Sequence, residues 1–331
     1  MILAEKKVLV TGADGFIGSH LVERLVGLGA EVRALALYNS FGQRGWLDTV
    51  DAKILAAVEV VMGDVRDPFH SRALTRDIDS VFHLASLIAI PYSYHAPESY
   101  VATNVTGTLN MLQAARDERV SRFIHVSTSE VYGTAVSVPM SETHSLSAQS
   151  PYAASKIAAD QLALSFHRSY DIPVVIARPF NTYGPRQSTR AVIPTIITQA
   201  LAGGNVTLGA TTPRRDFTFV ADTVSALIAA AECDKAVGEV VHFGSGIDIS
   251  IGELAQEILQ MIGSKGTVSC DSRRVRPPES EVDRLLCDNR KAAELIKWKP
   301  EVDLNSGLRQ TIDWFAEPSN RIRYRADEYT I

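Results

Sequence analysis

The sequence has few cysteines and no metal-binding pattern. Its three cysteines, Cys233, Cys270 and Cys287, are odd in number, widely spaced and without histidine partners or a Cys-x-x-Cys pair. Such a set argues against a disulfide framework and against a zinc site. We therefore expect reduced, structural cysteines in a cytoplasmic protein that holds no metal ion.

The chain also lacks an excess of positive charge and any long apolar run. It carries 33 lysines and arginines against 38 aspartates and glutamates, a net charge of −5. This balance offers no electrostatic footprint for nucleic acid or an anionic membrane. No apolar segment reaches the roughly 18 residues that span a bilayer, and Lys6 and Lys7 precede a short strand without the apolar region of a signal peptide. We expect neither nucleic acid nor a membrane as a partner.

A glycine-rich turn follows the first apolar segment. Residues 7–11 are typical of a buried strand, Gly12-Ala13-Asp14-Gly15-Phe16-Ile17-Gly18 comes next, and a helix is predicted from Ser19 to about Leu28. Glycines there permit a tight turn and a close approach of backbone to a pyrophosphate, which the helix amino end attracts. The pattern predicts a dinucleotide site, with a plain tight turn as the alternative.

The predicted second strand, residues 31–37, lacks the acidic residue that grips the ribose diol of NAD. Ala36 holds the expected place, and Leu37, Tyr38 and Asn39 follow it. No arginine comes directly after to bind a 2′-phosphate, so the choice between NAD+ and NADP+ stays open. NAD+ is our first expectation and NADP+ the alternative, in either case tightly bound and recycled.

The ends of the next two predicted strands add cofactor candidates. Asp64, just past the strand at 58–62, can accept hydrogen bonds from an adenine amino group, with turn capping as its alternative role. The strand at 81–86 ends in small residues that let a dinucleotide lie flat, and His83 within it is predicted to be a core histidine with satisfied hydrogen bonds. The predicted cofactor-binding residues are Gly12, Asp14, Gly15, Phe16, Ile17, Gly18, Tyr38, Asn39, Ser40, Asp64, Val65, Leu84, Ala85, Ser86, Tyr152 and Lys156.

Strand and helix patterns alternate up to residue 178, with further strands predicted at 123–126 and 174–178. This alternation predicts an α/β fold with a Rossmann-type doubly wound parallel sheet, followed by a smaller mixed α/β substrate domain where it loosens. We assign residues 1–178 and 217–243 to the dinucleotide-binding domain, and residues 179–216 and 244–331 to the substrate domain.

Within these domains, Phe217–Ala231 is predicted to be a short strand and helix that return to the main sheet, and residues 251–262 and 288–296 to be helices of the small domain. Apolar positions on the helices near 97–116 and 151–170 exceed what one sheet face needs. Two such helices can pair with their copies across a two-fold axis, which predicts a homodimer. Simple cover for the sheet is the alternative.

The predicted reacting centre lies between residues 127 and 156. Ser127-Thr128-Ser129-Glu130-Val131-Tyr132-Gly133 follows a strand, and a second helix begins at Pro151 behind Ser150 as N-cap. Tyr152 and Lys156, four residues apart, share one face of that helix. A nearby ammonium favours phenolate and lowers a tyrosine pKa, so the pair can act as an acid/base device. An ordinary pair on a helix surface is the alternative.

These motifs, in this order, together with Arg178-Pro-Phe-Asn-Thr-Tyr-Gly-Pro-Arg186, resemble the extended short-chain dehydrogenase/reductases that modify nucleotide-linked sugars. The resemblance covers nearly the whole chain. Within them the chain is most similar to 4,6-dehydratases of the legionaminic acid pathway type, which act on UDP-N-acetylglucosamine or a GDP-linked relative. The segments that carry this finer likeness are residues 37–41, 45–48, 88–94 and 324–331.

The resemblance implies roles for individual residues. Tyr152 would take the proton of the sugar hydroxyl on carbon 4, Thr128 would bind that hydroxyl, and Glu130 would remove the hydrogen on carbon 5. Ser129 stands where dTDP-glucose dehydratases have an aspartate that serves as acid for the departing water. The Thr-Ser-Glu form instead resembles GDP-mannose dehydratases, and this resemblance implies that Glu130 would act as both base and acid. Single arginines among turn residues are suited to a diphosphate. The implied catalytic set is Thr128, Ser129, Glu130, Tyr152 and Lys156, and the substrate set is Ile90, Tyr92, Ser93, Asn181, Arg186, Arg190, Arg215 and Arg276.

Three other functions stay open. A UDP-glucuronate decarboxylase shares the Thr-Ser-Glu run. A nucleotide-sugar 4-epimerase is the other alternative enzyme, although simple 4-epimerases usually lack the glutamate. A non-catalytic dinucleotide-binding sensor belongs to another class, against which the intact Thr128, Glu130, Tyr152 and Lys156 weigh.

Overall fold

A seven-stranded parallel sheet forms the centre of the protein, whose computed structural model describes residues 1–325. The strands are β1 (Lys7–Thr11), β2 (Glu31–Leu37), β3 (Val58–Gly63), β4 (Ser80–His83), β5 (Arg122–Val126), β6 (Val174–Pro179), β7 (Asn181–Tyr183), β8 (Val206–Leu208), β9 (Arg214–Phe219), β10 (Val240–Phe243), β11 (Asp248–Ser250), β12 (Val268–Cys270) and β13 (Arg284–Leu285). The main sheet has the order β10-β6-β5-β4-β1-β2-β3, with every neighbouring pair parallel. The predicted α/β fold is confirmed.

Helices cover both faces of this sheet. They are α1 (Phe16–Gly27), α2 (Ala52–Ala56), α3 (Pro68–Thr75), α4 (Ile90–His95), α5 (Pro97–Tyr100), α6 (Gly107–Asp117), α7 (Pro151–Tyr170), α8 (Val192–Leu201), α9 (Val220–Glu232), α10 (Ile251–Ile262), α11 (Arg290–Leu295), α12 (Leu304–Ala316) and α13 (Pro318–Arg321). Side chains alternate across a strand. Val8 and Val10 therefore pack with α1 and α9 in one core, while Leu9 packs with α3, α6 and α7 in the other. Two buried faces explain why these strands are apolar throughout.

Strand β9 is the centre of a second, four-stranded sheet. It pairs antiparallel with β11 and parallel with β7 and β13, and β8 pairs with β12 in a separate two-stranded ribbon. The prediction that a strand at Phe217 joins the main sheet is therefore wrong, whereas α9, which follows it, does pack against the main sheet. The chain leaves the main sheet after β6 and returns through α9 and β10.

Local signals set several helix ends as predicted. The Ser150 side chain accepts the backbone N–H of Ala153 at the start of α7, and Ser250 and Glu253 form a reciprocal capping box on α10. Helix α5 runs into α6 through a π-helical stretch, Val101–Thr106. Among the residues described, no helix is long and apolar enough to cross a bilayer.

Four predicted bounds are corrected. Helix α1 begins at Phe16, three residues before Ser19, so the last glycine of the turn is helical; β4 ends at His83 and does not extend to residue 86. The apolar segment at residues 87–94, predicted as a loop, contains most of α4, and α11 is shorter than the predicted 288–296. Backbone hydrogen bonding, rather than apolar character, sets these ends.

Candidate active site

A cavity of about 1070 Å³ opens where the strands of the main sheet end and the second sheet begins. Its wall contains the residues that follow β1, β3, β4, β5 and β6, together with residues of β7 and β9. The carboxyl edge of an open α/β sheet is where such folds bind ligands. Most residues predicted from the sequence line it: Gly12, Asp14, Gly15, Phe16, Ile17, Gly18, Asp64, Val65, Leu84, Ala85, Ser86, Ile90, Tyr92, Thr128, Ser129, Glu130, Tyr152, Asn181, Arg186, Arg190, Arg215 and Arg276.

Five predicted residues are not in this wall. Tyr38, Asn39 and Ser40 lie in the segment after β2, where the Asn39 side chain bonds its own loop. Ser93 is buried and donates to the carbonyl of Ile90, so its hydroxyl is used within α4. Lys156 is buried behind the wall.

The glycine turn is shaped for close contact with a ligand's phosphates. Gly12 has φ +67°, and a Cβ there would lie 2.9 Å from the backbone nitrogen of Ala85. A Cβ on Gly18 would lie 2.1 Å from the carbonyl oxygen of Gly12, so α1 packs directly on the turn. No side chain caps α1, which leaves its amino end to the cavity. This arrangement fits the pyrophosphate of a dinucleotide.

Two carboxylates at the cofactor end already have partners. Asp64 holds Arg66 in a bidentate ion pair, with Arg66 Nη2 2.5 Å from Asp64 Oδ2. The hydrogen bonds and charge of Arg66 outweigh burial and lower the pKa of Asp64. Asp14 Oδ2 accepts the backbone N–H of Leu37 at 3.2 Å, and burial raises the pKa of Asp14.

The predicted catalytic residues meet on one side of the cavity. Residues Ser129–Tyr132 form a single 3-10 turn, which Thr128 caps by accepting the backbone N–H of Glu130 at 3.2 Å. The Thr128 side chain lies close enough to Tyr152 to lower the pKa of its phenol, and Glu130 lies close enough for its charge to raise that pKa. Phenol, hydroxyl and carboxylate thus face one space.

Burial, rather than Lys156, governs the Tyr152 phenol. Tyr152 is 7% exposed, and burial raises its pKa, while the nearby Thr128 side chain opposes this rise and the Glu130 charge adds to it. The expectation that Lys156 lowers this pKa is not met. Lys156 Nζ donates to the carbonyl of Val126 at 2.7 Å, and burial lowers the pKa of Lys156 to about 8.

A buried ion pair behind the wall was missed from the sequence. Asp160 Oδ2 accepts from Ser127 Oγ at 2.7 Å and from Arg178 Nη2 at 2.6 Å, and His125 Nε2 lies 3.2 Å from Asp160 Oδ1. Burial raises the pKa of Asp160, but Arg178 and the other partners outweigh it and lower that pKa to about 2. Asp160 lies four residues after Lys156 in α7, and this spacing in the sequence could have predicted that both side chains share one face of the helix.

His83 is a core histidine with both ring nitrogens satisfied, as predicted. Thr11 Oγ1 accepts the N–H groups of Leu84 and Ala85, so its own proton goes to His83 Nδ1, 2.9 Å away. His83 Nε2 then donates to Thr108 Oγ1 at 3.0 Å. Burial holds the pKa of His83 well below its ordinary value, so the ring is neutral.

The predicted phosphate-binding arginines fall into two groups. Arg215 and Arg276 share one carboxylate, since Glu281 Oε1 lies 3.4 Å from Arg215 Nη2 and 3.6 Å from Arg276 Nη1. Arg186 instead reaches α1, where it holds Glu23 at 2.7 Å and contacts Ser19. Sequence reasoning missed Glu281, because a carboxylate beside phosphate-binding arginines is not an expected pattern.

Comparisons with known proteins agree with this geometry. The family model described as GDP-mannose 4,6 dehydratase matches residues 9–311. A protein named dTDP-glucose 4,6-dehydratase, from an Actinoplanes species, is 34% identical over 316 residues, 93% of this chain and 97% of its own.

Two solved structures are similar over most of their length. Epimerase Mth375 from Methanothermobacter thermautotrophicus has a TM-score of 0.87 at 31% identity, covering 97% of this chain and 95% of that one. A double mutant of DesIV, a dTDP-glucose 4,6-dehydratase from Streptomyces venezuelae solved with NAD bound, has a TM-score of 0.85 at 32% identity, covering 94% and 97%.

Proposed function

The chain belongs to the GDP-mannose 4,6-dehydratase family of extended short-chain dehydrogenase/reductases, and from this premise we propose that it is a nucleotide-sugar 4,6-dehydratase acting on UDP-N-acetylglucosamine. The product would be the UDP-4-keto-6-deoxy sugar. The observation that carries the proposal is the meeting of Glu130, Thr128 and Tyr152 on one wall of the cavity. A dehydratase needs a carboxylate there, in addition to the phenol that any oxidation at carbon 4 requires.

The cofactor would lie along the carboxyl edge of the main sheet. The glycine turn and the amino end of α1 would hold its pyrophosphate. The small residues Ala85 and Ser86, which follow Leu84 in the cavity wall, would leave room for its nicotinamide half. When bound, the nicotinamide supplies the hydride acceptor at carbon 4 and the donor at carbon 6, and its oxidised ring favours the phenolate form of Tyr152. Overall the reaction is redox-neutral.

The residues of the chain would move the protons. Tyr152 takes the proton of the carbon 4 hydroxyl, which Thr128 orients through its side-chain oxygen. The ketone formed acidifies the hydrogen on carbon 5, and Glu130 removes it. Glu130 then carries that proton to the hydroxyl leaving carbon 6, since Ser129 offers no carboxyl group. As the hydride reaches carbon 6, carbon 5 takes up a proton and Tyr152 gives up the one it received, so the net change is the loss of one water. A positioned general base contributes roughly 10² to 10⁴-fold.

The diphosphate would sit against Arg215 and Arg276. Both guanidinium groups line the cavity, and burial lowers the pKa of Arg215 while the charge of Glu130 opposes this. The charges of both Glu130 and Glu281 therefore act on Arg215. Charge-assisted bonds from two arginines suit a diphosphate, whose sugar would then extend towards Glu130.

A 4-epimerase is the second candidate, favoured by the similarity to epimerase structures. It would use Tyr152 and the cofactor in the same way, but it would return the hydride to carbon 4 with inversion. Glu130 would then have no chemical role. The product distinguishes the two, because dehydration removes one water and epimerisation leaves the mass unchanged.

The test is incubation of the purified protein with UDP-N-acetylglucosamine, followed by mass spectrometry. We expect a product lighter by one water. Glu130→Gln should bind cofactor normally and yield no dehydrated product, whereas Glu279→Gln, an exposed carboxylate outside the cavity, should react like the wild type. Full activity of Glu130→Gln would refute the role of Glu130, and a product of unchanged mass would favour the epimerase.

The protein is also proposed to act as a homodimer through the helical face formed by α5, the π-helical stretch, α6 and α7. Val101 and Tyr170 on this face are 54% and 51% exposed, and Leu109, Leu162 and Leu164 are half-buried. Apolar groups in such positions gain free energy when a second copy covers them.

A further inference from the structure

The acidic residue missing from the end of β2 is replaced in space by a carboxylate from the glycine turn. Strand β2 ends at Leu37, which is followed by exposed Tyr38 and lacks any acidic neighbour. Asp14 Oδ2 reaches this point and accepts the backbone N–H of Leu37 at 3.2 Å. Asp14 is half-buried and lines the cavity. In dinucleotide-binding folds, the carboxylate at this place bonds the hydroxyls of the adenosine ribose.

The loop after β2 is built to hold Asp14 in place. The backbone N–H of Trp46 donates to the Asp14 carbonyl at 2.9 Å. Gly45 has φ +58°, and a Cβ there would lie 2.4 Å from the same carbonyl oxygen, so only glycine lets the loop come this close. Trp46 is in turn packed against Tyr324, with ring centroids 6.0 Å apart. Residues 45–48 and 324–331 are two of the segments in which the chain resembles the legionaminic-type dehydratases, and they meet behind Asp14 through Trp46 and Tyr324. Residues 326–331 of the second segment lie outside the described part of the chain.

Three arginines lie near this end of the cavity, and their positive charges could attract the 2′-phosphate of NADP+. Arg44 is paired with Asp48 at 2.8 Å and Arg66 with Asp64 at 2.5 Å. Arg323 lies over the Trp46 ring, 5.5 Å from its centroid, and lines the cavity. The charges of Arg44 and Arg323 help to lower the pKa of Asp48 against the effect of burial, so Arg323 also faces an acid. Asp14, by contrast, has no hydrogen bond to a basic side chain within residues 1–325.

We propose that the Asp14 carboxylate accepts the hydroxyls of the adenosine ribose and thereby selects NAD+ over NADP+. A 2′-phosphate at this place would meet a like charge and would deprive the carboxylate of its donor. The inference rests on the proposed function only in taking a nicotinamide dinucleotide as the cofactor. It needs no assumption about the sugar.

Binding of the reduced cofactors to cofactor-free protein tests the proposal, with quenching of tryptophan fluorescence as the readout. We expect NADH to bind at least about 30-fold more tightly than NADPH, and the ratio to fall about tenfold or more in Asp14→Asn, because one like charge is removed. The asparagine oxygen can still accept from Leu37, so the turn keeps its bond. Mass spectrometry of nucleotide released by heating purified wild-type protein should identify NAD.

Two further variants show whether a changed ratio of NADH to NADPH affinity is specific to Asp14. Asp51→Asn removes a charge from the same loop region, outside the cavity, and should keep the wild-type ratio, since asparagine also caps α2. Arg323→Gln should not raise the preference for NADH. A wild-type preference for NADPH, an unchanged ratio in Asp14→Asn, or a larger effect of Arg323→Gln would overturn the proposal. Binding of neither cofactor would overturn the dinucleotide site itself, whereas failure to dehydrate sugar with normal NADH binding would leave Asp14's role intact.

Discussion

Lys156 shows how burial sets the protonation of a single side chain. It is fully enclosed, its ammonium has one hydrogen bond, to the Val126 carbonyl, and its pKa falls to about 8 from an ordinary 10.5. Burial disfavours the charged form. Keeping this lysine charged at neutral pH therefore costs the folded protein free energy.

This cost predicts a pH-dependent stability. Between pH 8 and 10.5 the unfolded chain holds a proton on Lys156 that the folded chain has released. The contribution of this group to the free energy of unfolding therefore increases as the pH rises through this range, and it is lost as the pH falls to about 8. Relative to Lys156→Met, the wild type should gain roughly 2–3 kcal/mol between pH 7 and 10. Urea denaturation of both proteins at the two pH values measures it. An equal response of the two proteins to pH would contradict the lowered pKa.

Helix α7 carries the reactive groups on one face, and Asp160 on the same helix binds it to the neighbouring strands. Tyr152, Lys156 and Asp160 follow at intervals of four residues, and Asp160 bonds Ser127 at the end of β5 and Arg178 in β6. These bonds fix the helix relative to the two strands that lead into the cavity. The 3-10 turn with Glu130 begins two residues after Ser127.

Breaking this anchor should be costly. Asp160→Asn leaves the buried Arg178 without its counter-charge, and loss of one partner of a buried pair costs about 3–5 kcal/mol. Asp117→Asn, which disrupts exposed pairs with Arg72 and Arg116, should cost less than about 1 kcal/mol. Because the pKa of Asp160 is lowered to about 2, its contribution is present above pH 3.8 and is lost as pH falls towards 2. Chemical denaturation at pH 7 compares the variants, and equal stabilities would show that the pair contributes little.

The elements that the sequence predicts well are those with a simple burial pattern. Strands β1, β2, β3, β5 and β6 are short apolar runs, and α7 and α10 begin with standard capping residues. Strand β9 was misplaced because Arg215 and Asp216 are buried in it, and their partners are far away in sequence. Asp216 accepts from Ser245, Gly246 and Cys287, a set of contacts that no local pattern reveals.

The site itself was predicted where a motif fixes both a residue type and its spacing. The glycine turn, the Thr-Ser-Glu run and the tyrosine all line the cavity. Contacts between distant segments were not predictable, such as Asp14 with Leu37 or Glu281 with two arginines. The protonation of Tyr152 was also out of reach, because desolvation depends on the whole surrounding fold.

Assembly of the whole molecule gives another prediction. If α5, α6 and α7 pair with a second copy, light scattering should give twice the mass of one chain. Val101→Glu places a charge on the 54% exposed apolar position and should shift the protein towards monomer, whereas Val136→Glu, 85% exposed and outside these helices, should not. A wild-type protein of single-chain mass would refute the dimer.

The path of the chain through its two sheets bears on how it is made. Strand β10 borders β6 at the edge of the main sheet, yet β7, α8, β8, β9 and α9 lie between them in sequence. During synthesis on a ribosome, a nascent chain that has released β6 therefore waits for sixty further residues, 180–239, before β10 begins to cover that edge. An uncovered edge strand can pair with other chains, so β6 is open to such pairing until residue 243 has emerged.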